Sequence, residues 1–546
     1  MPPEYRIVAP FEETLSMLSF VAATSGPLKR ARIAAFWTAI VLTAPAIAQD
    51  NTFIMAMTTT PKGFDSDIWV PGQIETSVNV YEGLTRFGMR TGANGQPEIE
   101  PGKFEPHFAE SWSVSPDGKT VVFRLRPGVK SPFGNELTAE DVVWTFNKSA
   151  NQKRTGLFIK NVARIDKVEA VSRNEVRFTL THPNRIFLAV MTLHIPALFD
   201  STEAKKHASP DDPFATKWLA QNTAGFGAYH VQSVQAGQQT VLVANPHYVF
   251  EKPFYTRVIW REVPSAATRV ALVRTGQVQY AEQIPLQQIR DLRTDKNVRV
   301  ESFASPGSAT LRMNPKLAPF DNEKVRQAVA YATDYKAIGE AVFFGLGTRS
   351  RSMLNAPIPG AIDAYQYETN VDRAKKLLAE AGHPNGLDVT LEYSTNWWWE
   401  EPLALQAQAS LAKAGIRVTP KRIPSTEMNA RRAITTWSLP FFTHLTSSFV
   451  PDPSYNLFLT AHCKGGSNVN GNCNAKLDEL IDASVVERDD KKWLDIVGQA
   501  QKVQADYATF IETYLPGTHE VFVACMKGFM WRPHNRMVWK DLVCKK

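Results

Sequence analysis

The pattern of apolar and polar positions is clearest between residues 109 and 147. Residues 112–114 and 120–126 alternate apolar or β-branched side chains with polar ones, the period of a half-buried strand. Between them, Ser115-Pro116-Asp117-Gly118 is turn chemistry, with Gly118 suited to a positive φ. Pro127-Gly128 ends the second strand, and another turn falls at Pro132-Phe133-Gly134-Asn135. The period then lengthens. Thr138 is a good N-cap, Glu140 and Asp141 suit a first helical turn, and Val142, Val143 and Phe146 carry the apolar stripe. The stretch predicts a β-β-α unit whose content is scaffold.

Elsewhere the patterning predicts a first strand over 51–59 and a hairpin over 162–180 that turns at Ser172-Arg173-Asn174. Strand-rich sequence covers roughly 80–220, and 257–285 alternates strand, helix and strand. A change near 303–312 looks like a crossover, and Val325, Ala328, Val329 and Ala332 then repeat at helical spacing. A helix over 371–381 ends at Gly382, followed by a strand at 387–393, a helix at 403–414 and a strand at 416–423. This β-α-β order predicts parallel pairing. Helix is expected through Leu480 and over 491–507, and the segment 520–546 is expected to return to the first lobe with a strand.

At 546 residues the chain is too long for one ordinary core, so two or three lobes are expected. With 21% charged and 44% hydrophobic residues it falls among globular proteins, not disordered or membrane ones. Its net charge of +7 is thinly spread, and no dense Lys/Arg tract points to nucleic acid. Residues 28–48 have the form of an export signal. Lys29-Arg30-Ala31-Arg32 is the cationic part, 33–43 the apolar part, and Ala46-Ile47-Ala48 the cleavage pattern, giving a mature start at Gln49. Residues 1–27 fit no part of a signal, and no cysteine near the cut suggests a lipid anchor. The mature protein is expected in the periplasm. Four cysteines allow three connectivities in an oxidising compartment; Cys463–Cys473 and Cys525–Cys544 are preferred because each closes a short loop. A Cys₄ zinc site is the rival, but neither pair has CxxC spacing.

The run "AESWSVSPDGKTVVFRLRPGVKSPFGNELTAEDVVWTFN" resembles the signature of the family 5 solute-binding proteins of ABC importers, which take peptides, nickel or oligosaccharides. It departs at Pro132-Phe133-Gly134, where many members carry a histidine-aspartate-glycine turn. "SVNVYEGLTRF", the stretch 224–250 and "PFDNEKVRQAVAYATDYKAI" are similar to further family runs. The resemblance implies an α/β, two-lobed periplasmic-binding-protein fold of type II, of the large cluster-C-like kind, with an extra strand-rich domain and hinge closure over a ligand. It implies a discontinuous first lobe (49–80, 221–305 and 520–546), an extra domain (81–220) and a second lobe (306–519). Residues 1–48 would be extension plus signal. The implied partners are a small-molecule ligand and the permease subunits, with a monomeric receptor, no cofactor and no nucleic acid.

No catalytic set competes with this. GxSxG, HExxH, a phosphate loop and an EF-hand are absent, and His207, His230, His247, His383, His444, His462 and His519 are scattered without ligand spacing. Acidic pairs such as Glu400-Glu401 and Asp489-Asp490 are expected to be solvated faces. A secreted hydrolase and an exported chaperone-like module are the readings from other classes.

Aromatic residues mark the candidate site. Asn396, Trp397, Trp398 and Trp399 lie between a strand end and a helix start, where ligands approach α/β lobes. Tryptophan faces stack on sugars, aromatic groups or cations. A second stretch supplies Trp437, His444, Thr446, Ser448 and Phe449, and Asp65 after the first strand completes the set. Peptide binders of the family tend to carry an acid just upstream of an aspartate-proline like Asp452-Pro453, and dipeptide binders an arginine near a helix start. This chain has Thr446-Ser447-Ser448-Phe449 and Glu400-Glu401-Pro402 in those places. Burying a charged terminus without its partner is costly, so a zwitterionic dipeptide fits poorly. Hydroxyls, an amide and aromatic planes suit a sugar conjugate of the opine type or an oligosaccharide; an oligopeptide held through its backbone is the alternative, with haem and nickel complexes weaker options.

Overall fold

The computed structural model describes residues 51–545, except 69, 71, 92–96, 194–196, 304–306, 356–357, 434–435, 447–449, 531 and 533–536. The expected signal segment and its expected cut after Ala48 lie outside the described residues, as do Ser448 and Phe449.

Two mixed sheets underlie the two lobes. The first has seven strands in the order Val298–Phe303, Thr518–Val523, Tyr280–Ala281, Thr52–Met57, Arg257–Glu262, Gln239–Ala244 and Tyr229–Gln235. Thr52–Met57 sits centrally and pairs parallel with both Arg257–Glu262 and Tyr280–Ala281, so three strands end on one edge. The second sheet runs Thr348–Arg349, Phe510–Leu515, Ser308–Met313, Phe441–Thr446, Leu387–Tyr393 and Ile416–Arg422. Here Leu387–Tyr393 pairs parallel with Ile416–Arg422 across the helix Glu400–Ala412, as the β-α-β pattern predicts. The chain passes between the sheets twice, between Phe303 and Ser308 and between Leu515 and Thr518.

The 109–147 unit forms as its pattern predicts. Ala109–Val114 and Thr120–Leu125 pair antiparallel, and the hairpin Ile165–Ser172/Glu175–Leu180 completes a four-stranded sheet. Helix Ala139–Asn151 starts with a capping box in which Asp141 accepts from both the Thr138 amide and its hydroxyl, at 2.8 Å each. The core of this sheet is not self-contained. Phe123, Phe178 and Phe187 share a cluster with Tyr455, Leu477, Ile481 and Val497 from helices far along the chain. Local patterning does not show which sheet such helices cover.

Both preferred disulfides, Cys463–Cys473 and Cys525–Cys544, are present. The second ties down the C-terminal segment, in which the buried Trp539 packs edge-on against Tyr229. Asn79 holds the same segment by accepting from the Trp539 amide at 2.8 Å and donating to the Met537 carbonyl at 2.9 Å.

Asp452 caps the helix Pro453–Ala461 by accepting from the Tyr455 amide at 2.9 Å. Burial pushes its carboxyl up from 3.8 to about 6, against the pull of that amide and of Arg185. A raised folded-state value means that this group's contribution is fully present below pH 3.8 and is lost as the pH climbs through 6. Asp452→Asn keeps the acceptor and removes the charge. It is expected to leave stability unchanged near pH 4 and to raise it by up to about 2 kcal/mol at pH 7.5, the partial exposure of the side chain limiting the gain. Denaturant midpoints at the two pH values check this, and a loss of stability at pH 7.5 would contradict it.

Candidate functional site

The carboxyl ends of the parallel strands of the first sheet open onto a cavity of about 430 Å³. Strand Thr52–Met57 and its continuation supply Met55, Met57, Thr58 and Thr59; the neighbouring strands supply Trp260, Tyr280 and Glu282. Glu282 accepts from the Thr58 amide at 2.8 Å and its hydroxyl at 2.7 Å, and Trp260 Nε1 donates to the Thr59 carbonyl at 2.6 Å. The buried guanidinium of Arg269 donates to the carbonyls of Val263, Pro264, Glu282 and Gln283, which pins the turn where Gln283 takes a φ of 46°. Gly517, Thr518, His519 and Glu520 form another part of the wall, beside Glu75 and Trp539. Tyr280 donates its hydroxyl to Glu520. Burial, then Glu520 and Glu282, push the Tyr280 phenol well above its usual range, so it stays a donor.

The second lobe closes this cavity with Asn396, Trp397 and Trp398. Their loop is shaped by Glu400, which is buried and accepts from the Ser394 amide (2.9 Å), the Ser394 hydroxyl (3.0 Å), the Trp397 amide (3.2 Å) and the Thr443 hydroxyl (2.8 Å). This corrects the expectation of a solvated face at Glu400; Glu401, Asp489 and Asp490 are exposed, as expected. The carboxylate sits at a helix start, where the amides and the macrodipole favour negative charge. Asn396 accepts from the Ser425 hydroxyl at 2.6 Å, and Trp398 meets Phe343 edge-on at 5.9 Å. Phe343 in turn stacks on Tyr514 at 5.5 Å.

A family profile, bacterial extracellular solute-binding proteins, family 5, middle, matches residues 103–468. The chain belongs to this family of ABC-importer receptors. It is 28% identical over 473 residues to the probable D,D-dipeptide-binding periplasmic protein DdpA of Escherichia coli, covering 84% of this chain and 87% of that one. Among solved structures, a dipeptide-binding protein of Pseudoalteromonas in complex with Met-Leu superposes with a TM-score of 0.80 at 21% identity, covering 90% of this chain and all of the other. The mannopinic-acid complex of MoaA from Agrobacterium superposes with a TM-score of 0.78 at 23% identity, covering 91% and 100%. These likenesses show the two-lobed fold.

Within this family 5 receptor the sequence-derived candidates divide. Asn396, Trp397 and Trp398 come together on the cavity wall. Trp399 does not: it is 1% exposed and anchors the start of helix Glu400–Ala412 in the core. Trp437 is not among the lining residues either; its Nε1 donates to the Asn468 carbonyl at 2.7 Å and Lys316 lies over its ring. His444 is half-buried on the strand Phe441–Thr446, next to Arg432, and loss of solvent with that charge pushes its imidazole well below the usual value. Thr446 accepts from the buried Arg312. Asp65 serves the scaffold, paired with Lys148.

Sequence reasoning missed Glu75, Trp260, Glu282, His519, Glu520 and Trp539. Thr58 falls near the end of the predicted first strand and Glu282 within the strand-helix-strand stretch 257–285, which was the available signal, but nothing local says that those positions adjoin. Among the described residues no group of three or more His, Cys, Asp or Glu side chains could hold a metal ion. Among them, too, no helix is long and apolar enough to cross a membrane.

Proposed function

We propose that this receptor captures a polyhydroxylated solute, a sugar conjugate of the opine type or an oligosaccharide, between its lobes and presents it to an ABC permease. The observation that carries the reading is the shared cavity of Trp397, Trp398 and Trp260 with Thr58, Thr59, Asn396 and three carboxylates, Glu75, Glu282 and Glu520. Aromatic planes cover the apolar faces of sugar rings, and carboxylates accept from ring hydroxyls. A second reading, an oligopeptide held through its backbone, gains from the same carboxylates, which suit an α-ammonium group, and from the D,D-dipeptide name of the Escherichia coli relative. Under either reading the chain is exported by the signal at 28–48 and cut after Ala48, acts as a monomer, and has lobes divided at 49–80, 221–305 and 520–546 against 306–519, with 81–220 as the extra domain.

Thermal denaturation of the mature protein with mannopinic acid, a series of neutral oligosaccharides, Met-Leu and tetrapeptides tests the choice. A solute at a hundred times its Kd stabilises the closed form by about 2.7 kcal/mol, a shift of the midpoint that is easily read. Saturable shifts with sugar-containing compounds are expected. Shifts with peptides alone would replace the first reading by the second, and no shift across the panel would sink both.

A further inference from the structure

We infer that His519 contacts the solute, its Nε2–H donating to a neutral oxygen acceptor, a hydroxyl or carbonyl, of the molecule held in the cleft. His519 lines the cavity and stands opposite Ser302 in the strand pairing, with Nδ1 2.9 Å from the Ser302 hydroxyl. That hydroxyl also accepts from Arg293 Nη2 at 3.1 Å, and a guanidinium can only donate. The hydroxyl proton is therefore available to Nδ1. The field has the same sense. Arg293, which donates to the Ser302 hydroxyl, favours a lone pair on the Nδ1 side of the ring. Burial, then Arg293, push the imidazole down to about 4, so the ring is neutral at pH 7 with its proton on Nε2.

That Nε2 is buried and has no hydrogen-bond partner among the described residues. Leaving a buried donor unsatisfied costs about 1–3 kcal/mol, a cost recovered when an acceptor arrives. The neighbour facing it is Gly517, another lining residue, where a Cβ would stand 3.0 Å from Nε2. Glycine here, at a φ of +74°, keeps a side chain from crowding that nitrogen, which a Cβ would approach more closely than Cβ atoms ordinarily do. A neutral donor beside carboxylates discriminates for solutes that present an oxygen acceptor among their donors, as sugar hydroxyls and peptide carbonyls both do. The inference rests on the cleft being the solute site and is independent of whether the solute is a sugar or a peptide.

Two measurements test it. Long-range ¹H–¹⁵N correlation spectra of the ligand-free protein at pH 7 are expected to show His519 protonated on Nε2; protonation on Nδ1 would overturn the inference without reference to any ligand. Calorimetric titration with mannopinic acid and with Met-Leu then compares the wild type, His519→Phe and His519→Gln. For whichever probe binds, His519→Phe is expected to weaken binding about tenfold, and His519→Gln, which keeps an N–H donor, to recover most of it. Unchanged affinity in a His519→Phe protein that melts like the wild type would refute the contact and leave the cleft reading standing. Failure of both probes to bind the wild type would count against the cleft reading, while the tautomer still decides the donor.

Discussion

Lys148→Met is expected to cost about 3–5 kcal/mol of stability, because it strips two buried carboxylates of their one positive partner among the described residues. Lys148 lies on helix Ala139–Asn151 with its side chain fully buried, and its Nζ donates to Asp65 Oδ1 and Asp67 Oδ2, both at 2.6 Å. The Ser149 hydroxyl adds a bond to Asp67 at 2.7 Å, and the ammonium also lies 4.6 Å from the Phe199 ring centre. Burial drives the Asp65 carboxyl upward with Asp67 adding to it, and Lys148 pulls it down without cancelling the rise. Burial would lower the Lys148 ammonium, but Asp67 and Asp65 together hold it above its usual value. A methionine fills the space and leaves the carboxylates to repel each other out of water. Their only relief is to take up protons, so the deficit should grow from pH 5 to pH 8. Guanidinium unfolding at both pH values reads it, and adding Asp65→Asn with Asp67→Asn should return part of the loss. An unchanged midpoint for Lys148→Met would show that the triad fastens nothing.

The neighbouring tryptophans should separate binding from folding. Trp399→Ala removes a core side chain that is 1% exposed and is expected to cost about 3–5 kcal/mol, with affinity per folded molecule retained. Trp398→Ala takes away a half-buried plane from the cavity wall and leaves Phe343 its stack on Tyr514. Its expected cost to stability is small, and its cost to binding about 2 kcal/mol, roughly thirtyfold in Kd. Denaturant midpoints and titration with the solute that shifts the wild type give both numbers. Equal effects of the two substitutions on affinity would remove Trp398 from the site.

Some of this site was legible because it is local. The loop at Asn396–Trp398 could be placed at a strand end from the β-α-β pattern alone, and two of its three tryptophans line the cavity. Which two was not legible: Glu400 folds the loop back with four hydrogen bonds, and a helix starting at that point turns Trp399 into the core. Thr446 and His444 were placed in the site on family analogy, and their partners Arg312 and Arg432 instead hold them in the second sheet.

By itself the sequence determined the elements that depend on near neighbours, the β-β-α unit at 109–147, the hairpin at 165–180 and the parallel pair around Glu400–Ala412, and it favoured the two short disulfide loops that the structure contains. Periodicity, turn chemistry and caps act over a few residues, so they can be read in order along the chain. The tertiary structure alone decided the acidic, tryptophan-lined wall, because Thr58, Glu282 and Glu520 adjoin only once strands more than 200 residues apart pair in one sheet. It also decided that His519, unremarkable in sequence, lines the cavity with a buried ring nitrogen that none of the described residues satisfies.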